Sequence, residues 1–283
     1  MKVGIIGIGV VGNAMYRSLL EKSNNNSAGG DVIVAYDKFK NIGSFDDMLD
    51  TDMVFLCLPT LYSYNTSSYD KTALHEICGK LAENNYQGLV VIKSTVEPTT
   101  TQSFANKYKL SMFHNPEFLS ARTAFEDFRD QSHIIIGQSS NSTSDQLDKL
   151  VGFYQKYFPG AQISTCVSTE SECVKIFCNC FYAVKVQFFN ELYLMCNKLN
   201  IDYSTVKNTM LKNNWINPMH TDVPGPNGQL SYGGMCFPKD TNALLSFMKE
   251  LNTPHAVLEG TVVEHDSMKD GTDLLLKNLI FYP

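Results

Sequence analysis

Lys2-Val3-Gly4-Ile5-Ile6-Gly7-Ile8-Gly9-Val10-Val11-Gly12 lies at the start of the chain. Its first part, Lys2–Ile6, is a short apolar run and reads as a buried strand. Gly7, Gly9 and Gly12 follow at the spacing G-x-G-x-x-G. Val11, Met15 and Leu19 then recur at helical intervals over Val11–Lys22. In a strand–turn–helix setting the first glycine permits a tight turn. The second lets a pyrophosphate approach the backbone, and the third lets helix and strand pack closely. The leading N–H groups of the helix offer partial positive charge to phosphates. A second strand, Val32–Tyr36, ends at Asp37. Its carboxylate can accept hydrogen bonds from a ribose diol and repels a 2′-phosphate, which favours NAD over NADP. Lys38 beside it points the other way. The alternative is a glycine-rich turn with no ligand.

Outward from this turn, strand-like and helix-like segments alternate. Strands are expected at Met53–Leu58, Leu89–Lys93, Ser111–His114 and His133–Gly137. Helices are expected at Ser44–Leu49, Asp70–Asn84, Thr101–Lys107 and Asp145–Tyr157. Such alternation means an α/β fold, a Rossmann-type doubly wound parallel sheet covered on both faces. Near residue 166 the character changes. Thr169–Leu199 contains no Gly or Pro and is strongly apolar, so it reads as one long helix. Tyr203–Lys212, Asp240–Leu251 and His255–Met268 also carry helical patterns, and Asn213–Gly234 reads as a long loop. Two domains are expected: residues 1–165, a dinucleotide-binding unit, and residues 166–283, a helical unit built on the long helix.

Composition narrows the function class. The 283 residues carry a net charge of −6, with 43% hydrophobic and 18% charged residues. That suits a globular protein and argues against nucleic-acid or anionic-membrane partners, which need a basic surface. No run of about 18 apolar residues marks a transmembrane helix. The short, glycine-punctuated N-terminus does not resemble a signal peptide, so a cytoplasmic location is expected. The eight cysteines form no C-x-x-C, and no histidine pair stands at zinc spacing, so no metal is expected. Cys173, Cys178, Cys180 and Cys196 lie in the long apolar helix and read as buried packing residues.

Candidate chemistry falls outside the carboxyl ends of the strands, where open parallel sheets bind ligands. Thr60 follows the third strand and Ser94-Thr95 the fourth. For Thr60 or Ser94 alone, capping the next helix is the better reading. His114-Asn115-Pro116-Glu117-Phe118 follows the next extended segment. Glu117 is either a solvated loop acid or a partly buried general base. Lys175 and Asn179 stand at i and i+4 on the long helix, facing either a buried polar pocket or solvent. Gly233-Gly234-Met235-Cys236-Phe237-Pro238-Lys239-Asp240 is the most informative octapeptide. Its glycines let backbone approach a ligand, and Cys236 follows in a loop with Lys239 and Asp240 close by. Either Cys236 is a nucleophile or it is an ordinary loop cysteine.

Taken in order, these blocks resemble the UDP-glucose/GDP-mannose dehydrogenase family. The resemblance rests on Gly7–Gly12 with Asp37, Lys93-Ser94-Thr95-Val96, Asn115-Pro116-Glu117-Phe118-Leu119, Glu172–Asn179 continuing to Phe189–Leu192, and Gly233–Asp240. It implies oxidation of a nucleotide sugar, foremost UDP-glucose, twice at C6 with two NAD. It implies that Cys236 carries a thiohemiacetal and then a thioester. Lys175 and Asn179 would steady oxyanion charge, and Glu117 and Asp240 would handle water and protons. Thr95 would lie near the reacting centre. Gly7, Gly9, Val11, Gly12, Asp37, Thr60, Thr95 and Lys239 would contact NAD. Glu117, Phe118, Leu119, Lys175, Asn179 and Gly233 would contact the substrate, and two copies would dimerise through the long helix. Three departures stand out. Ala121 occupies a position where the family often has Glu. Trp215-Ile216-Asn217-Pro218 replaces an Arg-Ile-Gly motif. The chain also ends at Pro283, where relatives continue into a second Rossmann-like domain. Competing readings are a β-hydroxyacid or 6-phosphogluconate-type dehydrogenase, and an NAD-binding protein without turnover.

Overall fold

A computed structural model describes residues 1–25 and 30–269. The chain divides into two compact units. The first comprises residues 1–61 and 69–175, the second residues 62–68 and 176–283.

The first unit is built on a seven-stranded sheet. Its strands are β1 (Lys2–Ile6), β2 (Val32–Tyr36), β3 (Met53–Leu56), β6 (Leu89–Ile92), β7 (Met112–His114), β8 (His133–Gln138) and β9 (Gln162–Val167), in the spatial order β2-β1-β3-β6-β7-β8-β9. Every pair from β2 to β7 is parallel, with Val3 opposite Met53 and Ile92 opposite His114. One correction to a wholly parallel sheet is needed: β7 and β8 pair antiparallel, and β9 then runs parallel to β8. Alternate side chains leave opposite faces of a strand, and the core follows that rule. Val3, Ile5, Phe55, Val91 and Phe113 enter one cluster with α1 (Val10–Asn25) and α6 (Ser144–Tyr157). Ile6, Val54, Leu56, Val90, Ile92 and Met112 enter the other, with α3 (Thr72–Glu83) and α4 (Thr100–Tyr108). Two short helices, α2 (Asp46–Leu49) and α5 (Ala124–Arg129), complete this unit. Neither α5 nor β9 is anticipated by the sequence pattern. The first is only six residues long, and the second has no buried position, so neither carries a long apolar period.

The second unit holds most of α7 (Ser168–Lys198), together with α8 (Tyr203–Leu211), α9 (Phe237–Glu250) and α10 (Ala256–Lys269). The hairpin β4 (Tyr62–Ser63) and β5 (Ser68–Tyr69) also lies mostly in it, and the Tyr62 hydroxyl meets Ser246 Oγ of α9 at 2.8 Å. Phe189, Cys196 and Tyr203 pack with Leu192, Val206 and Ile216 to seat α8 on α7.

The boundary differs from the expected residue 165. It falls inside α7, after Lys175, because the first two turns of that helix are bonded to the sheet unit. Ser171 Oγ lies 2.8 Å from His114 Nδ1 on β7. The Glu172 carboxylate accepts the Thr99 and Thr101 N–H groups at 2.6 and 2.7 Å, closing the start of α4. A Cβ on Gly137 would meet Ser171 Cβ at 2.5 Å, so β8 and α7 touch only because residue 137 has no side chain.

Candidate active site

The glycine turn has the geometry that a dinucleotide needs. Gly7 sits at φ +91°, in the left-handed region that a side chain disfavours. A Cβ on Gly12 would fall 1.9 Å from the Gly7 carbonyl oxygen, so only glycine lets α1 start this close to β1. A Cβ on Gly9 would meet nothing within 4 Å. The space above Gly9 is open, as a phosphate-approach position requires. Asp37 Oδ2 accepts the Ile8 N–H at 2.8 Å, and Oδ1 accepts the N–H groups of Phe39 and Lys40 at 3.0 Å. That fixes a half-buried carboxylate beside the turn, with a lone pair of Oδ2 left for a ribose hydroxyl. Lys38, the counter-signal, is held by Glu76 at 3.0 Å. Open glycine backbone, a helix N-terminus and a fixed acid together fit NAD.

Beyond β3 and β6, two hydroxyls brace the loops instead of capping helices. Thr60 Oγ1 donates to the Thr95 carbonyl at 2.7 Å. Ser94 Oγ donates to the Leu58 carbonyl at 2.7 Å and accepts its N–H at 3.0 Å. The caps of α3 and α4 are Lys71 and Thr99. Thr60 and Thr95 are therefore brought together by a bond the sequence does not reveal.

Glu117, Phe118 and Lys175 form one cluster. Lys175 is buried, and its Nζ lies 3.3 Å from Glu117 Oε1 and 5.1 Å from the centre of the Phe118 ring. Glu117 Oε2 accepts the Leu119 N–H at 2.6 Å, which points the carboxylate at the lysine. The Leu119 side chain packs against the hydrophobic core. Of the two readings left open for Lys175, the buried one is observed. A buried ammonium without a partner is costly, and Glu117 supplies the opposite charge.

Beneath this cluster lies a residue to which the sequence pattern assigns no role. Lys93 is buried at the end of β6. Its Nζ donates to the Asn115 backbone carbonyl at 2.9 Å and to Asn115 Oδ1 at 2.6 Å. Asn115 Nδ2 donates to the Ile135 carbonyl at 2.6 Å, and Tyr154 donates to Asn115 Oδ1. Burial pulls the Lys93 ammonium down to about 8 and pushes the Cys57 thiol up to about 12. Burial likewise pushes His114 down to about 3, so the ring is neutral. The only local signal for Lys93 is a lysine closing an otherwise apolar strand.

In the second unit, Asn179 and Asp240 are both buried, and Asn179 Nδ2 donates to Asp240 Oδ2 at 2.6 Å. Lys239 pairs with the other oxygen of the same carboxylate. Cys236 is exposed, at the N-cap position of α9, with Pro238 in the first turn. Gly234 before it takes φ +75°, and a Cβ there would meet nothing within 4 Å. The thiol is thus presented on an open two-glycine turn, while Asp240, four residues on, is anchored in the interior. None of the eight cysteines is disulfide-bonded. Among the described residues no group of three or more His, Cys, Asp or Glu side chains is placed to hold a metal, and no helix is long and apolar enough to cross a membrane.

Comparison with known proteins accords with these two halves. Residues 32–157 match the UDP-glucose/GDP-mannose dehydrogenase family, NAD binding domain, and residues 169–265 match the central domain of the same family. UDP-glucose 6-dehydrogenase AglM of Haloferax volcanii is 28% identical over 251 residues, or 83% of this chain and 57% of that protein. UDP-glucose 6-dehydrogenase of Rickettsia bellii is 30% identical over 227 residues, or 77% of this chain and 50% of that protein. The chain thus spans about half the length of these relatives. A solved UDP-glucose dehydrogenase from Pyrobaculum islandicum superposes with a TM-score of 0.82 at 23% identity, covering 95% of this chain and 68% of that one. That likeness is one of fold. Two consecutive matches to one family, one on each part of the chain, place this protein in the UDP-glucose/GDP-mannose dehydrogenase family.

Proposed function

We propose that the protein oxidises a nucleotide sugar, foremost UDP-glucose, at C6 to the uronic acid with NAD in two hydride transfers. The observation that carries this is the exposed Cys236 thiol at the head of α9, four residues before the buried Asp240–Asn179 bond. A simple alcohol dehydrogenase has no use for such a thiol, whereas in a four-electron oxidation a thiol can hold the aldehyde covalently for the second hydride transfer.

When bound, NAD accepts the hydride at each oxidation. Loss of the first hydride and a proton turns the C6 alcohol into an aldehyde. Sulfur of Cys236 then adds to the aldehyde carbon, and the carbonyl oxygen takes up charge as an oxyanion or a proton as a hydroxyl. The carbon again bears a transferable hydrogen. That hydrogen leaves as the second hydride while any hydroxyl proton goes to a base, giving a thioester, and water breaks the C–S bond to give carboxylate, a proton and the thiol. Lys175 and Asn179 supply an ammonium and an amide N–H for the oxyanion. Glu117 and Asp240, the carboxylates fixed beside them, take the protons and orient water. The Asp37 carboxylate and the open backbone at Gly9 hold the cofactor.

The same reading includes a homodimer in the cytoplasm. Phe177, Phe181, Phe188 and Met195 on α7 are about half exposed or more, at spacings of four, seven and seven. They form one apolar stripe that a second copy can cover. The substrate class is tested by NADH release with a set of UDP- and GDP-sugars. UDP-glucose is expected to give the highest kcat/KM. NAD binding with no NADH from any of them would leave a cofactor-binding protein without turnover.

A further inference from the structure

The loop that delivers Cys236 is fastened by a polar network that the proposed chemistry does not use. Ser231, five residues before the thiol, is buried and adopts φ +62°, a left-handed conformation disfavoured for a residue with a Cβ. Three bonds hold it there. Its N–H donates to Asn190 Oδ1 at 2.9 Å. Its hydroxyl donates to Gln187 Oε1 at 2.7 Å. That hydroxyl also lies 2.9 Å from His265 Nδ1. With its only hydrogen given to Gln187, the hydroxyl accepts from His265, which fixes the ring as the Nδ1–H tautomer.

Each partner is itself held. Asn190 Nδ2 donates to the Val186 carbonyl at 2.7 Å, and Gln187 Nε2 to Glu264 Oε2 at 3.0 Å. The His265 ring stacks on the next loop residue, Tyr232, at 3.9 Å and 11°. Beyond the thiol, Thr241 Oγ1 donates to the Phe237 carbonyl at 2.9 Å and lies 3.4 Å from the Tyr232 hydroxyl. Both ends of the Gly233–Cys236 turn are therefore tied to buried side chains, while Met235 and Cys236 themselves are exposed. A reactive group held in place without being buried needs this kind of support.

We propose that Ser231 is a positioning residue, the junction through which Gln187 and Asn190 of α7 and His265 of α10 fix the turn that carries Cys236. The role rests on the reading of Cys236 as nucleophile. Its signature is selective: the first oxidation does not involve the thiol, and the second does.

Two variants test this in the full chain. Ser231→Gly deletes the hydroxyl bonds and relieves the backbone. His265→Phe keeps a stack on Tyr232 and deletes one bond. Single-turnover hydride transfer from UDP-glucose is expected to keep its first phase within about twofold. The second phase should slow by about tenfold, with aldehyde appearing as product. Independently of turnover, peptide-resolved alkylation by iodoacetamide should speed up at Cys236 by about threefold or more and stay unchanged at Cys166, as expected of a locally loosened turn. Equal slowing of both hydride phases overturns the proposal. So does a Cys236 alkylation rate equal to wild type in both variants. If the wild-type protein forms no NADH, the dehydrogenase reading fails by itself and the alkylation result alone decides whether the junction holds the turn.

Discussion

At residue scale, Gly9 and Gly12 differ in what an added methyl meets. On Gly12 it would collide with the Gly7 carbonyl at 1.9 Å; on Gly9 it would enter open space. Gly12→Ala is therefore expected to lower the melting temperature by several degrees, the effect of about 1–3 kcal/mol of overpacking. Gly9→Ala should change stability by less than about 1 kcal/mol yet weaken NAD at least about tenfold, since the methyl occupies the pyrophosphate's approach. Thermal unfolding and NAD calorimetry on both variants check the contrast. Equal affinity for NAD in Gly9→Ala and wild type would move the cofactor elsewhere. Glu117 permits a second contrast. Glu117→Gln leaves the buried Lys175 ammonium without its counter-charge, costing about 3 kcal/mol or more. Lys175→Met with Glu117→Gln removes both charges and should recover much of that loss in denaturant unfolding, without recovering activity.

At the scale of elements, α7 joins structure to chemistry. Glu172 on its second turn receives the first N–H groups of α4, where Thr99 is held at φ +81° at a cost of about 1–3 kcal/mol. Burial raises the Glu172 carboxyl to about 7 from an ordinary 4.5, against the lowering effect of the Thr101 and Thr99 bonds. Between those values the native state keeps a proton that the unfolded chain has lost. Stability therefore falls as pH rises through that window, by up to about 3 kcal/mol from this group. Partial desolvation, with the Glu264 carboxyl beside it, raises Glu191 as well, with the same sign. Glu172→Gln should flatten the stability–pH slope between about pH 5 and 7 while leaving the share due to Glu191. An unchanged slope would show that Glu172 is ionised throughout. What the sequence discloses at this scale follows from local periodicity. Lys2–Ile6, Val32–Tyr36 and Thr169–Leu199 are legible because each is long or sits beside a glycine signal. Thr60, Ser94, Lys93 and Ser231 are not, because their bonds join residues far apart in sequence. The antiparallel turn of β8 is likewise invisible: a buried apolar strand reads the same in either direction.

At the scale of the whole molecule, one unit carries the glycine turn and the other presents the Cys236 thiol. Association of two copies through α7 is open to a direct check. Phe181→Glu puts a charge on the apolar stripe and should convert a dimer to monomer in size-exclusion chromatography with light scattering. A wild-type monomer would contradict the proposed interface. In the proposed function Cys236 carries the second oxidation. The most direct test counts NADH formed per UDP-glucose consumed, with product analysis, for wild type and Cys236→Ser. We predict two NADH and uronic acid from wild type, and from the variant at most one NADH per sugar and no acid. Acid formed by Cys236→Ser at the wild-type yield would contradict the account.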